Sequence, residues 1–176
     1  MLTLPHEGKR EKVRAVMEER REDFRKILEG IKLTADRLGY FTRSDYKNKS
    51  SQKYVNIIYL DLKEDGEYEK VKEAVDYLIR SLMKEDVIAN EELKSMNIEY
   101  DHQSGLFKTK KLHITLFRCK GLYENETFLE RFEHVVESYM GKMLECDWMD
   151  ISTRFAYDET KFYQPLHRIP LDGKLK

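Results

Sequence analysis

Cysteine is scarce in this chain, with two in 176 residues. That is too few for a disulfide framework. Neither Cys119 nor Cys146 has metal-ligand spacing, so the expected setting is a reducing compartment, the cytoplasm or nucleus. Long apolar runs are also missing. None exceeds roughly five residues, far short of the ~20 that a membrane-spanning helix needs. The N-terminus lacks the charged-then-apolar pattern of a secretory signal. No sign of charge dominates either: 32 Lys and Arg against 33 Asp and Glu give a formal charge of −1. This excludes the overall basic field that drives non-specific nucleic-acid binding, so any contact with RNA must come from a local patch.

Apolar residues are plentiful at 40%, including 11 Tyr and 8 Phe, which is too many for a disordered chain. The length suits one domain or two small lobes sharing a core. The first four residues, Met-Leu-Thr-Leu, alternate as a short strand that Pro5 ends. Val13, Val16, Met17, Phe24, Ile27 and Leu28 recur at helical spacing, which predicts one amphipathic helix from about Lys9 to Glu29, stopped by Gly30. Residues 31–42 read as one or two strands, and 44–53 as a polar loop. Tyr54–Leu62 (YVNIIYLDL) is the strongest strand, apolar on both faces and therefore central. Asp65-Gly66 reads as a turn. Tyr68, Val71, Val75, Leu78 and Leu82 then mark a second helix ending near Lys84. Residues 85–111 hold a short helical piece and a loop through Gly105. Leu112–Arg118 is a strand. Phe128, Phe132, Val135, Tyr139 and Met143 mark a third helix that frays at Gly141. Residues 147–157 and 162–171 form a closing hairpin that turns near Asp158.

The chemistry lies in Lys111-Leu112-His113-Ile114-Thr115-Leu116. Side chains alternate along a strand, so His113 and Thr115 share a face, about 7 Å apart, while Leu112, Ile114 and Leu116 take the other. One imidazole and one hydroxyl on a rigid platform suit a phosphate. The hydroxyl can donate to a phosphoryl oxygen, and the imidazole can donate or move a proton near neutral pH. A His-x-Thr tripeptide by itself carries little information, and a strand histidine is more often structural. The context strengthens it: a clear strand, an apolar reverse face, and an echo at Met1-Leu2-Thr3-Leu4 with Met where His would stand. Both copies precede a helix and then strands, which fits a twofold internal repeat with its first copy cut short.

With these pieces in order, the chain resembles the two-histidine (2H) phosphoesterases. It is most similar to the branch holding the A-kinase anchoring protein phosphoesterase-like domain and the related subunit of the activating signal cointegrator complex. The resemblance rests on YVNIIYLDL and its helix, KLHITL, the third helix and the final hairpin. It implies an α+β fold of bilobal, pseudo-twofold antiparallel sheets flanked by helices, here with an incomplete N-terminal lobe. On that reading 1–42 is the remainder of the first lobe, 43–53 a loop, and 54–176 the second lobe, in one structural domain. The activity implied is hydrolysis of 2′,5′- or 2′,3′-phosphodiesters without metal or cofactor. One histidine deprotonates the nucleophile, the other protonates the leaving oxygen, and two threonines hold the phosphate. His113 and Thr115 match the second motif and Thr3 the hydroxyl of the first. Met1 takes the first histidine's place, so the acid/base pair is broken and turnover impaired. A truncated or short form and a natural non-catalytic relative both stay open, and a start at the motif itself favours the former.

Lys111, Phe117 and Arg154 are the candidate substrate-binding residues. The basic run Lys108, Lys110, Lys111 can attract a phosphate backbone, although a solvated loop is the simpler reading. Phe117, Tyr157, Phe162 and Tyr163 can stack a base or fill a sheet core. Arg154 and Arg168 sit on the closing hairpin, within possible reach of a ligand. His6 falls beyond Pro5, His102 in a polar loop, His134 on a helix surface and His167 near the chain end. None replaces the lost histidine as well as its own motif position would. The expected partner is RNA or a nucleotide phosphodiester bound by a monomer, with a protein-interaction module as the alternative.

Overall fold

Residues 53–62 fold as the central strand that their apolar, β-branched character predicts, and the rest of one sheet is arranged around them. The computed structural model describes residues 7–44, 53–95, 98–108, 111–123, 130–157 and 163–171. A 3-10 turn at Glu7–Lys9 leads into helices α1 (Arg10–Glu19) and α2 (Arg21–Leu28). There follow β1 (Lys32–Ser44), β2 (Lys53–Leu62), α3 (Gly66–Lys84), α4 (Asn90–Ser95), β3 (Glu99–Asp101), β4 (Leu106–Lys108) and β5 (His113–Tyr123). The chain continues through α5 (Glu130–Val136), β6 (Met143–Glu145), β7 (Trp148–Tyr157) and β8 (Tyr163–Pro170). One sheet has four strands in the order β5-β2-β1-β6, while β3-β4 and β7-β8 are two-stranded. The pairings of β1 with β2, β2 with β5, β3 with β4 and β7 with β8 are antiparallel. The fold is therefore α+β. Among the described residues, no helix is long and apolar enough to cross a membrane.

The chain packs as two compact units, one of residues 1–31, 65–110 and 145–176 and the other of 32–64 and 111–144. Within the second unit, β1 hydrogen-bonds along β2 from Ala35–Leu62 to Ser44–Lys53.

In the second unit, the sheet buries one face. Ala35, Leu60 and Val136 form a cluster joined by Leu38, Ile114, Leu116 and Met140. Val55 and Ile58 form another, with Leu38, Tyr40 and Phe132 against it. The alternation of the strands thus turns Leu38, Tyr40, Ile58, Leu60 and Ile114 toward α5. It leaves Gly39, Phe41, Tyr59, Asp61, His113 and Thr115 on the opposite face.

In the first unit, Val13, Val16, Ile79, Leu82, Val87, Ile88, Leu93 and Ile98 make the core. Each fully buried side chain of this size contributes roughly 1.5–3 kcal/mol by leaving water. The predicted single N-terminal helix is corrected to two. Arg20 breaks it, with ψ of 11°. The α3 start is also corrected: Asp65 is its N-cap, accepting from the Glu67 and Tyr68 N–H groups at 3.1 and 3.3 Å. The predicted third helix ends earlier than expected, at Val136, followed by a 3-10 turn at Glu137–Tyr139. Gly141 at φ of 71° then turns the chain, and Met143 stands in β6. The loop expected through Gly105 is the tight turn of the β3-β4 hairpin, where Gly105 also has a φ of 71°.

Candidate functional site

The site is built on the face of the β5-β2-β1 strands that α5 does not cover. Asp61 of β2 lies opposite His113 of β5, and Tyr59 lies opposite Thr115. Directly paired residues of an antiparallel sheet share a face, so these four gather together. On the other flank of β2, Gly39 of β1 is the partner of Tyr59.

Gly39 decides how Tyr59 lies. A Cβ at position 39 would come within 2.5 Å of the Tyr59 ring. With no side chain there, the phenol lies across the β1 backbone and is 8% exposed. It stacks on Phe41 with centroids 4.5 Å apart and planes at 29°. The His113 ring stands 5.0 Å from Tyr59 and 5.1 Å, edge-on, from Phe41. Two aromatic rings thus wall one side of a half-buried imidazole.

The other side is polar. His113 Nδ1 lies 3.0 Å from the Lys111 carbonyl oxygen. A carbonyl only accepts, so Nδ1 carries the hydrogen and, in the neutral ring, Nε2 holds the lone pair. This is the tautomer that a proton-accepting Nε2 needs. Once protonated at Nε2, the ring keeps its Nδ1–H bond and becomes a donor at the same atom.

Beside it, Asp61 is 3% exposed. Its Oδ2 accepts from Arg37 Nε at 2.9 Å and from Lys111 Nζ at 2.6 Å. Its Oδ1 is buried and has no hydrogen-bond partner among the described residues. The hydrogen bond to Asp61 is the main reason that Lys111 and Arg37 hold their protons more tightly than usual.

The predicted site residues divide accordingly. His113 and Thr115 share the open face, and Thr115 is exposed. Lys111 lies next to the imidazole, but its ammonium is engaged by Asp61, and what it offers His113 is its carbonyl. Phe117 is not brought beside His113. The register shifts between Tyr59–Thr115 and Ile58–Phe117, which makes Leu116 an extra residue and turns Phe117 to the α5 face, 6.3 Å from Phe132. Arg154 lies on β7 in the other unit, and only its backbone is described. Thr3, Met1, His6, Lys110, Phe162 and the hairpin turn at Asp158 lie outside the described residues, as do the side chains of Tyr157 and Tyr163.

Of the remaining histidines, His102 and His134 are exposed. His167 Nε2 is 3.1 Å from Glu18 Oε2 but lacks the angle of a hydrogen bond. Arg168 grips Asp150 with two bonds and covers Trp148 at 4.3 Å. Arg37, Phe41, Tyr59 and Asp61 were missed from the sequence. Two signals point to them: a lone acid in an apolar central strand demands a cationic partner, and a glycine inside a strand marks a close approach.

Comparison with known proteins identifies the family. A family model described as the AKAP7 2'5' RNA ligase-like domain matches residues 1–171. No curated protein matches the chain. A match over nearly the whole length, on an α+β fold, establishes that this chain belongs to the AKAP7 2'5' RNA ligase-like domain family.

Proposed function

We propose that this domain binds an RNA or nucleotide phosphodiester at His113. His113 Nε2 accepts or returns a proton, and the Thr115 hydroxyl donates to a phosphoryl oxygen. The observation that carries this reading is the Nδ1–H bond to the Lys111 carbonyl, which leaves Nε2 as the basic atom of the neutral ring. Thr3 supplies the second hydroxyl in the pattern that the family resemblance implies. The chemistry is acid/base transfer on the phosphodiester, done by side chains.

Met1 stands where that pattern has its first histidine, and a thioether cannot move a proton. A positioned acid or base is worth typically 10²–10⁴-fold, so turnover by this chain is low by about that factor while phosphate binding persists. The same substitution favours the second reading, a nucleotide- or RNA-binding module without turnover. Its setting in either case is the cytoplasm or nucleus.

Calorimetric titration with AMP, CMP and a short 2′,5′-linked oligonucleotide tests the reading. Binding is expected, and His113→Ala is expected to weaken it at least about tenfold, the loss of one charge-assisted hydrogen bond. Equal affinity in the variant, or no binding by the parent, contradicts it. Met1→His behind a short leader separates the two readings: a rise in cleavage favours the impaired enzyme, and no rise favours the binding module.

A further inference from the structure

We propose that Arg37 is a phosphate-contacting residue of the His113 site, presented to the ligand by Asp61. This rests on the reading of His113 above and extends it to a residue outside the His-x-Thr motif.

The starting point is a charge imbalance at a buried carboxylate. Asp61 carries one negative charge, and two cations share its Oδ2. Lys111 is the closer of the two and its side chain is 35% exposed, whereas Arg37 is 70% exposed. Of the two cations, the one that faces solvent is therefore Arg37. Asp36, next in the chain and itself exposed, acts on Arg37 through space less strongly than Asp61 does.

Geometry adds a second argument. Asp61 takes Arg37 through Nε alone. The two terminal nitrogens have no partner among the described residues, and together they form the edge that meets two phosphate oxygens at once. An arginine already held at Nε has surrendered much of its rotamer freedom before the ligand arrives, so less is lost on binding. Asp61 is the cross-strand partner of His113, which puts this edge on the same face as the imidazole. The solvent-facing guanidinium edge suits the anionic oxygens of a phosphodiester, in a chain whose net charge of −1 supplies no general attraction.

The test compares the full chain with Arg37→Gln, Arg37→Lys and His113→Ala, titrated with AMP and with uncharged adenosine at two salt concentrations. Because Arg37 is exposed and Asp61 keeps Lys111, the Arg37 variants are expected to melt like the parent. Arg37→Gln is expected to weaken AMP about tenfold and to flatten its salt dependence, with adenosine unaffected. Arg37→Lys should fall in between, having the charge but not the two-pronged edge. If Arg37→Gln binds AMP like the parent while His113→Ala does not, the role of Arg37 is overturned and the His113 reading stands. If Arg37→Gln weakens AMP and His113→Ala does not, Arg37 stands and the His113 reading falls. A parent chain that does not bind AMP overturns both.

Discussion

His113 gains its chemical character from a backbone atom rather than from another side chain. The carbonyl of Lys111, two residues earlier, holds Nδ1–H, and the aromatic pair Tyr59 and Phe41 fixes the ring from the side. Strand alternation was enough to place His113 and Thr115 on one face. The orienting bond was not legible, because any residue supplies a carbonyl. Nor was the turning away of Phe117, since the extra residue at Leu116 carries no glycine or proline to mark it. Gly39 is the most sensitive position in this arrangement. Gly39→Ala forces the Tyr59 ring off the β1 backbone, because its Cβ would sit 2.5 Å from Tyr59 Cζ. Overpacking of this kind costs about 1–3 kcal/mol. A lowered Tm in thermal melts, together with loss of the ring-current shifts that Tyr59 and Phe41 impose on His113, is the expected outcome. An unchanged Tm and spectrum would show that Tyr59 does not depend on the glycine.

Helices and strands differ in how far their sequence announces them. The central strand, the long helix α3 and the closing hairpin strands were legible, because apolar periodicity over many residues leaves little choice. The division of the first helix at Arg20 was not: Val16 and Met17 before it and Phe24 and Leu28 after it stay in helical phase and are all buried. Periodicity therefore continues through a break that neither glycine nor proline signals. The burial of Asp76 in α3 was equally hidden. Its Oδ1 accepts the Phe107 N–H at 2.9 Å and its Oδ2 takes Arg80 Nε at 2.7 Å, tying the β3-β4 hairpin to the helix. The start of α3 yields a direct prediction. Asp65→Ala removes the acceptor for two N–H groups of the first turn, and a loss of about 1 kcal/mol is expected in chemical denaturation. No change in the midpoint would mean that water caps the helix equally well.

For the whole chain, the division of labour follows the two units. All the described residues of the site, Arg37, Phe41, Tyr59, Asp61, Lys111, His113 and Thr115, belong to the unit of residues 32–64 and 111–144. Arg154 belongs to the other. The family match spans both, and the net charge of −1 supplies no overall field to attract an anion. The most direct measurement is nitrogen-15 NMR of the His113 side chain in the full chain, near neutral pH, before and after addition of AMP. Before addition, Nδ1 is expected to be protonated and Nε2 unprotonated in the neutral ring, and AMP is expected to shift Nε2 more than Nδ1. A ring protonated at Nε2 with a bare Nδ1, or an Nε2 resonance that AMP leaves in place, would contradict the role given to His113.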